Sequence, residues 1–319
     1  MPSRTYVTLS PDERNALLRR AALSGDALAV CDLLAAGAFA HDYALTGGGR
    51  ETPLMAAARL GHTDCVIHLI QQGKVNWRWA AGQATALFLA AQAGHAQCVK
   101  ALAPQSDCNL AGPRGHTPLM IAALNGHLDC VNKLLAQQSV VVDAVDPRGA
   151  TASFLAASEG HADCVKTLAT RADVNKRANM GQTPLTVAIS RGHVDCVSIL
   201  LAQPLVDLTF GLNRPLASAL EHAMDCAASE SRNAQSVATK SQEPIRAQHA
   251  MERASAVAEC LILVAERHGL EEVKALEAKI KPEVPRLTAW IEQQELALAL
   301  GLGASGPHAA SLERRGMRL

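Results

Sequence analysis

The side chains with the widest chemical reach in this sequence come in two rows. Cys65, Cys98, Cys130, Cys164 and Cys196 form one, and His62, His95, His127, His161 and His193 the other. Imidazoles and thiolates bind transition metals, and paired thiols form disulfides. The spacing argues against both. Each His-x-x-Cys unit recurs at intervals of 33, 32, 34 and 32 residues. If the units stack, their elements lie ~8–10 Å apart. A disulfide needs Cα atoms within ~7 Å. A metal needs its ligands ~2 Å from a common centre. The thiols are therefore expected to be buried as small hydrophobes, and the imidazoles to serve the local turn. Cys108 stands outside the row and is the expected exposed thiol.

Other chemical motifs are weaker still. Gly301–Gly306 reads GLGASG and fits the dinucleotide-binding pattern by letter. That motif requires a strand before it and a helix after it; here a helix precedes it and Pro307 follows. There is no H-E-x-x-H, no phosphate-binding lysine loop, no G-x-S-x-G and no close cysteine pair. Residues 213–300 hold no convergent set of nucleophile, base and orienter. No catalytic residue, cofactor or metal ligand is expected.

What must position the two rows is a repeated unit. Five segments align, opening at Glu51, Ala84, His116, Ala150 and Gln182. Their threonines are Thr52, Thr85, Thr117, Thr151 and Thr183, and in every copy a Gly-His pair starts nine residues later. Threonine at the N-cap with proline next (Pro53, Pro118, Pro184) starts a helix, because proline at the first position costs no hydrogen bond. Leu and Ala at helical spacing give that helix a narrow buried face. Gly61, Gly94, Gly126, Gly160 and Gly192 end it, since glycine tolerates the left-handed conformation. Asp64, Asp129, Asp163 and Asp195 then fall in the first turn of a second helix, where its dipole favours an anion. Cys-Val and Leu-Leu pairs form its buried stripe.

With a period of ~33 residues and a T-P-L-x-x-A opening, the pattern resembles the ankyrin repeat. The resemblance covers roughly residues 15–212. It implies an all-α repeat solenoid of helix-turn-helix units joined by β-turn fingers, with further helices toward the C-terminus. One departure is clear: the histidine usual after T-P-L is replaced by Met55, Phe88, Met120, Phe154 and Thr186.

The ends are less regular. Residues 10–36 read as a degenerate first repeat that caps the array within residues 1–212. Ser10–Glu13 is a capping box, and Arg14, Arg19 and Arg20 are expected to offer water a polar face. Residues 213–269 read as a degenerate sixth repeat carrying a polar, mobile insertion at 229–250. Two helices follow within 270–300, the second with Leu287, Trp290, Ile291 and Leu298 on one face. Residues 301–319 read as a disordered tail.

Charge narrows the function. With 30 Lys+Arg and 30 Asp+Glu the formal net charge is zero, which argues against a general nucleic-acid binder. No stretch reaches the ~18 apolar residues of a membrane span. A soluble, intracellular chain, cytoplasmic or nuclear and monomeric on its own, is expected. The resemblance implies binding of a partner protein through the concave face and fingers. In the finger Trp77-Arg78-Trp79, the indoles are either exposed or packed on a neighbouring finger; Trp and Arg are the types most enriched in binding hot spots. Tyr43, Arg114, Arg148, Arg177, Met180 and Phe210 are further finger candidates. Three of them are arginines that form a basic ridge or simply solvated loop charges. Leu60 and Leu124 are apolar on the concave side. The reading is a non-catalytic scaffold or adaptor. The alternatives are a regulatory subunit or inhibitor of an enzyme, and a structural component of a large assembly.

Overall fold

The computed structural model describes residues 4–39, 51–71, 84–179 and 181–207, then 223, 226–230, 232–234, 244–268, 289–294 and 296. Among these residues all regular structure is helical. The chain divides into two compact units, Met1–Asn179 and Met180–Leu319.

The first unit opens with α1 (Arg4–Val7), α2 (Pro11–Ser24) and α3 (Ala27–Ala35). It continues as helix pairs: α4 (Pro53–Leu60) with α5 (Thr63–Ile70), and α6 (Ala86–Ala93) with α7 (Ala96–Leu102). The last two pairs are α8 (Pro118–Leu124) with α9 (Leu128–Leu135), and α10 (Ala152–Glu159) with α11 (Ala162–Ala169). First helices pack in the order α2, α4, α6, α8, α10, and second helices in the order α3, α5, α7, α9, α11.

Local chemistry starts and stops these helices as the sequence predicts. Ser10 and Glu13 form the reciprocal capping box of α2. Thr52 Oγ1 accepts from the Met55 amide at 3.2 Å, and Thr85, Thr117, Thr151 and Thr183 do the same at their own helices. The positions that lack the usual histidine are filled in two ways. Met55, Phe88 and Met120 are buried as hydrophobes. Met120 Sδ also accepts from the Thr117 amide at 3.4 Å, and Thr186 Oγ1 accepts from the Thr183 amide at 2.8 Å. A polarisable sulfur or a hydroxyl thus meets the N-cap N–H in these two copies.

The first helices are alanine-rich on their packed faces: Leu54, Met55, Ala56, Ala57 and Ala58 of α4 are all buried. Small side chains let neighbouring backbones approach, and each buried Leu, Ile or Val contributes about 1.5–3 kcal/mol. The second helices bury the expected stripe, as in Cys130, Val131, Leu134 and Leu135 of α9.

In the N-terminal unit, Arg20 is exposed. Arg14 and Arg19 are only half-exposed, because they donate to chain carbonyls. Arg14 Nη1 reaches Ala36 O, and Arg19 Nη2 reaches Glu51 O at 3.0 Å. Arg14 thus ties α2 to the end of α3, and Arg19 ties the terminal pair to the next repeat, each while partly exposed.

The second unit contains α12 (Pro184–Arg191), α13 (Val194–Leu201) and α14 (Pro244–His268). α14 is one helix of 25 residues. It starts at Pro244, so residues 244–250, which the sequence reading placed in the insertion, are helical, with proline at the first position. α14 buries Val257, Cys260, Leu261, Val264 and Ala265. Its Ala256 Cβ lies 3.2 Å from where a Cβ on Gly192 would stand. Residues 289–294 are also helical, with Trp290 and Ile291 buried. Leu287, Leu298 and the tail 301–319 lie outside the described residues. No described helix is long and apolar enough to cross a membrane.

Candidate partner-binding surface

Between helix pairs the chain runs out into fingers, and side chains eight residues before the repeat threonine bind one finger to the next. Asn109 Oδ1 accepts from the Val141 amide at 2.8 Å, and its Nδ2 donates to Ser139 O at 2.7 Å. Asp143 occupies the same position one repeat later and accepts from the Asp173 amide at 3.0 Å. Asn179 adds a second tie, donating through its amide to Arg148 O at 2.8 Å and through Nδ2 to Pro147 O at 3.0 Å. These bonds satisfy loop amides and carbonyls that otherwise have only water as partner.

The finger tips turn on Pro113-Arg114-Gly115 and Pro147-Arg148-Gly149. Arg114 is in the left-handed region (φ 61°), the only non-glycine residue there among those described, and Gly115 and Gly149 follow with φ 78° and 75°. Pro147 Cδ lies where a Cβ on Gly115 would be, so the two tips are in direct contact. Asp146 sits at the base of the second tip with its side chain fully buried, its Oδ1 accepting from the Arg148 and Ala150 amides at 2.8 Å each. Its Oδ2 faces His116 Nε2 at 3.5 Å and Arg148 Nε at 3.7 Å. A separation of 3.5 Å is too long for a good hydrogen bond, and the two form an ion pair only when His116 is protonated. Burial holds the His116 imidazole below its ordinary value; Asp146 opposes this and the Arg148 charge adds to it.

The residues singled out from the sequence fall into three groups. Arg114, Arg148 and Arg177 are exposed. Arg114 and Arg148 hold the same finger position, whereas Arg177 stands in the register of Val145. Leu60 is 39% exposed at the end of α4, and Leu124 is half-buried with its carbonyl accepting from His161. Tyr43, Trp77, Arg78, Trp79, Met180 and Phe210 lie outside the described residues.

The cysteine row is buried as expected, whereas the histidines reach beyond their own turn to the preceding repeat. All five repeat cysteines are buried, and burial pushes the Cys130 and Cys164 thiols up to about 11. Cys108 corrects the expectation of an exposed thiol. It is 1% exposed because it fills the finger position that Val174, also buried, fills two fingers later. Its Sγ donates to Ala103 O at 3.5 Å. The exposed thiol is Cys31, on the outer side of α3. Among the described residues no group of His, Cys, Asp and Glu could hold a metal ion. The histidines bridge repeats: Nε2 of His62, His95, His127 and His161 donates to Leu23, Arg59, Gln92 and Leu124 carbonyls at 3.0–3.1 Å. The finger ties and the His116–Asp146 pair were missed in the sequence. The signal for the ties was present, in the Asn, Asp and Asn at positions 109, 143 and 175 of successive repeats.

Comparison with known proteins agrees with this geometry. The family model described as "Ankyrin repeats (3 copies)" matches residues 18–111, 79–146 and 104–178, just over half of the chain, and "Ankyrin repeat" matches 180–209. The crystal structure of the human ASB11 ankyrin repeat domain is similar at 29% identity and a TM-score of 0.54. The match covers 64% of this chain and 90% of that one. No curated protein sequence matches the chain. The chain belongs to the ankyrin-repeat family, whose repeats are generally protein–protein interaction modules.

Proposed function

We propose that this protein is a non-catalytic scaffold or adaptor that holds a partner protein along its finger tips and the ends of its first helices. The observation that carries the reading is the division of labour in the fingers. Asn109, Asp143, Asp146 and Asn179 fix the loop backbones, while Arg148, Val145 and Leu60 remain 75%, 50% and 39% exposed. Loops fixed before binding lose little entropy on binding, so side chains displayed on them contribute more of their contact energy. By sequence register Trp79 falls where Val145 is exposed and Trp77 where Asn109 and Asp143 tie one finger to the next, and the residue types of this finger suit a hot spot. An inhibitor or regulatory subunit would use this surface too; the partner's identity separates the two.

The test begins with affinity purification of the full chain and identification of its stoichiometric partner. Replacing Trp77 and Trp79 by Ala, and separately Leu60 by Asp, should weaken that complex by ~2 kcal/mol or more where a hot spot is lost. The helical signal should stay unchanged. Lost helicity with unaltered affinity per folded molecule would place these residues in the fold and remove them from the binding surface.

A further inference from the structure

The two tip arginines carry a more specific reading, which rests on the surface proposed above. Arg114 and Arg148 follow proline and precede glycine in consecutive fingers, and both are exposed. The carboxylate at the base of the second tip, Asp146, has a fully buried side chain held by two backbone amides; its Oδ2 lies 3.7 Å from Arg148 Nε, and Arg148 remains 75% exposed. The other finger carboxylates lie at the start of each finger, tied to loop amides. Asp107 accepts from Asn109, Asp143 from Asp173 and Asp173 from Asn175. Asp107 and Asp173 are exposed but stand at the start of their fingers, so the exposed charge at the two tips themselves is cationic. Lys176, in the next finger, is exposed as well. Val145, 50% exposed, adds an apolar side chain to the same finger as Arg148.

We infer that the tips formed by Pro113–Gly115 and Pro147–Gly149 bind an extended acidic segment of the partner protein, with one carboxylate meeting each tip arginine. The spacing gives the segment a register. Consecutive repeats stack about 10 Å apart, and an extended chain advances about 3.3–3.5 Å per residue. Carboxylates about three residues apart therefore reach both guanidiniums at once. Arginine suits this role because its planar fork accepts a carboxylate in two parallel hydrogen bonds. Val145, exposed in the same finger as Arg148, suits an apolar residue of the segment.

The test uses the full-length chain and short fluorescein-labelled peptides, read by fluorescence anisotropy. One peptide has Glu at every third position with Val and Ser between, and a second has the same composition with its Glu residues clustered at one end. A third replaces Glu by Gln, and single-stranded oligothymidylate is the fourth probe. The spaced Glu peptide should bind best, and added salt should weaken it. Arg114→Asn with Arg148→Gln should reduce its binding about tenfold, the scale of two modest charge contacts. Asn tolerates the left-handed conformation at position 114, and an unchanged melting temperature shows that the variant is folded. Equal binding of the Gln peptide, of the clustered peptide or of oligothymidylate overturns the acidic-segment reading, as does undiminished binding by the double variant. The broader surface proposal fails separately: there, the purified partner stays bound to the Trp77/Trp79 and Leu60 variants as well as to the arginine variant.

Discussion

His95 Nε2 donates to the carbonyl oxygen of Arg59 at 3.1 Å, and the same ring lies over Gly61, where a Cβ would be 2.7 Å from Nδ1. The carbonyl can only accept, so Nε2 carries the proton. The bond meets one of the last carbonyls of α4, which no intrahelical amide can reach. One histidine therefore caps the helix of the preceding repeat and fixes the distance between repeats.

This relationship predicts a coupled pair. Gly61 has φ 81°, so Gly61→Ala carries left-handed strain as well as the clash with His95, about 2 kcal/mol together. His95→Ala loses the hydrogen bond and ring contacts, about 1–2 kcal/mol. The double variant should be more stable than the sum of the two, because removing the ring removes the clash. Strict additivity in denaturant unfolding would show that the ring and the glycine do not meet.

A second prediction concerns Asp146. Replacing it by Ala leaves the Arg148 and Ala150 amides without their 2.8 Å acceptor, which costs about 2–3 kcal/mol for a buried site. Replacement by Asn keeps one acceptor oxygen and should cost less. Equal stability of the Ala variant and the parent would mean that water replaces the carboxylate.

His116 gives a pH dependence. Its folded-state value is depressed, so the unfolded chain takes up a proton first as pH falls. The stability present above the ordinary value of 6.5 should decline as pH drops below it and level off beneath the depressed folded value. His116→Gln should flatten this part of the profile. An unaltered profile in the variant would assign the slope to other groups.

The repeat and its helix pairs were legible because their signals are local. Thr52 caps its own helix, Gly61 ends it, and Cys65 and Leu69 share a face at helical spacing. Cys108 was not legible by composition, since a finger in sequence gives no sign that one of its residues turns inward. Comparison with Val174 in the same register would have shown it. The ties made by Asn109 and Asp143 depend on how far one finger stands from the next, which no single repeat encodes. The start of α14 is not legible because polar residues such as Gln248 and His249 are exposed on a helix as readily as in a loop.

Thiol labelling gives a fourth check. At mildly alkaline pH a water-soluble thiol reagent should modify Cys31 in the native protein. Cys65, Cys98, Cys108, Cys130, Cys164 and Cys196 should react only after denaturation, because all are buried. Cys260, pushed up to about 12 chiefly by burial, should be among the last. Fast native modification of Cys108 would mean that its finger opens.

The most direct measurement of the partner-binding surface is hydrogen–deuterium exchange on the full chain, alone and saturated with its purified partner. Slower exchange is expected at amides of residues 107–116, 141–150 and 173–179 and at the ends of the first helices near Leu60 and Leu124. Protection confined to the second helices α5, α7 and α9, with the fingers unchanged, would contradict binding through the finger face.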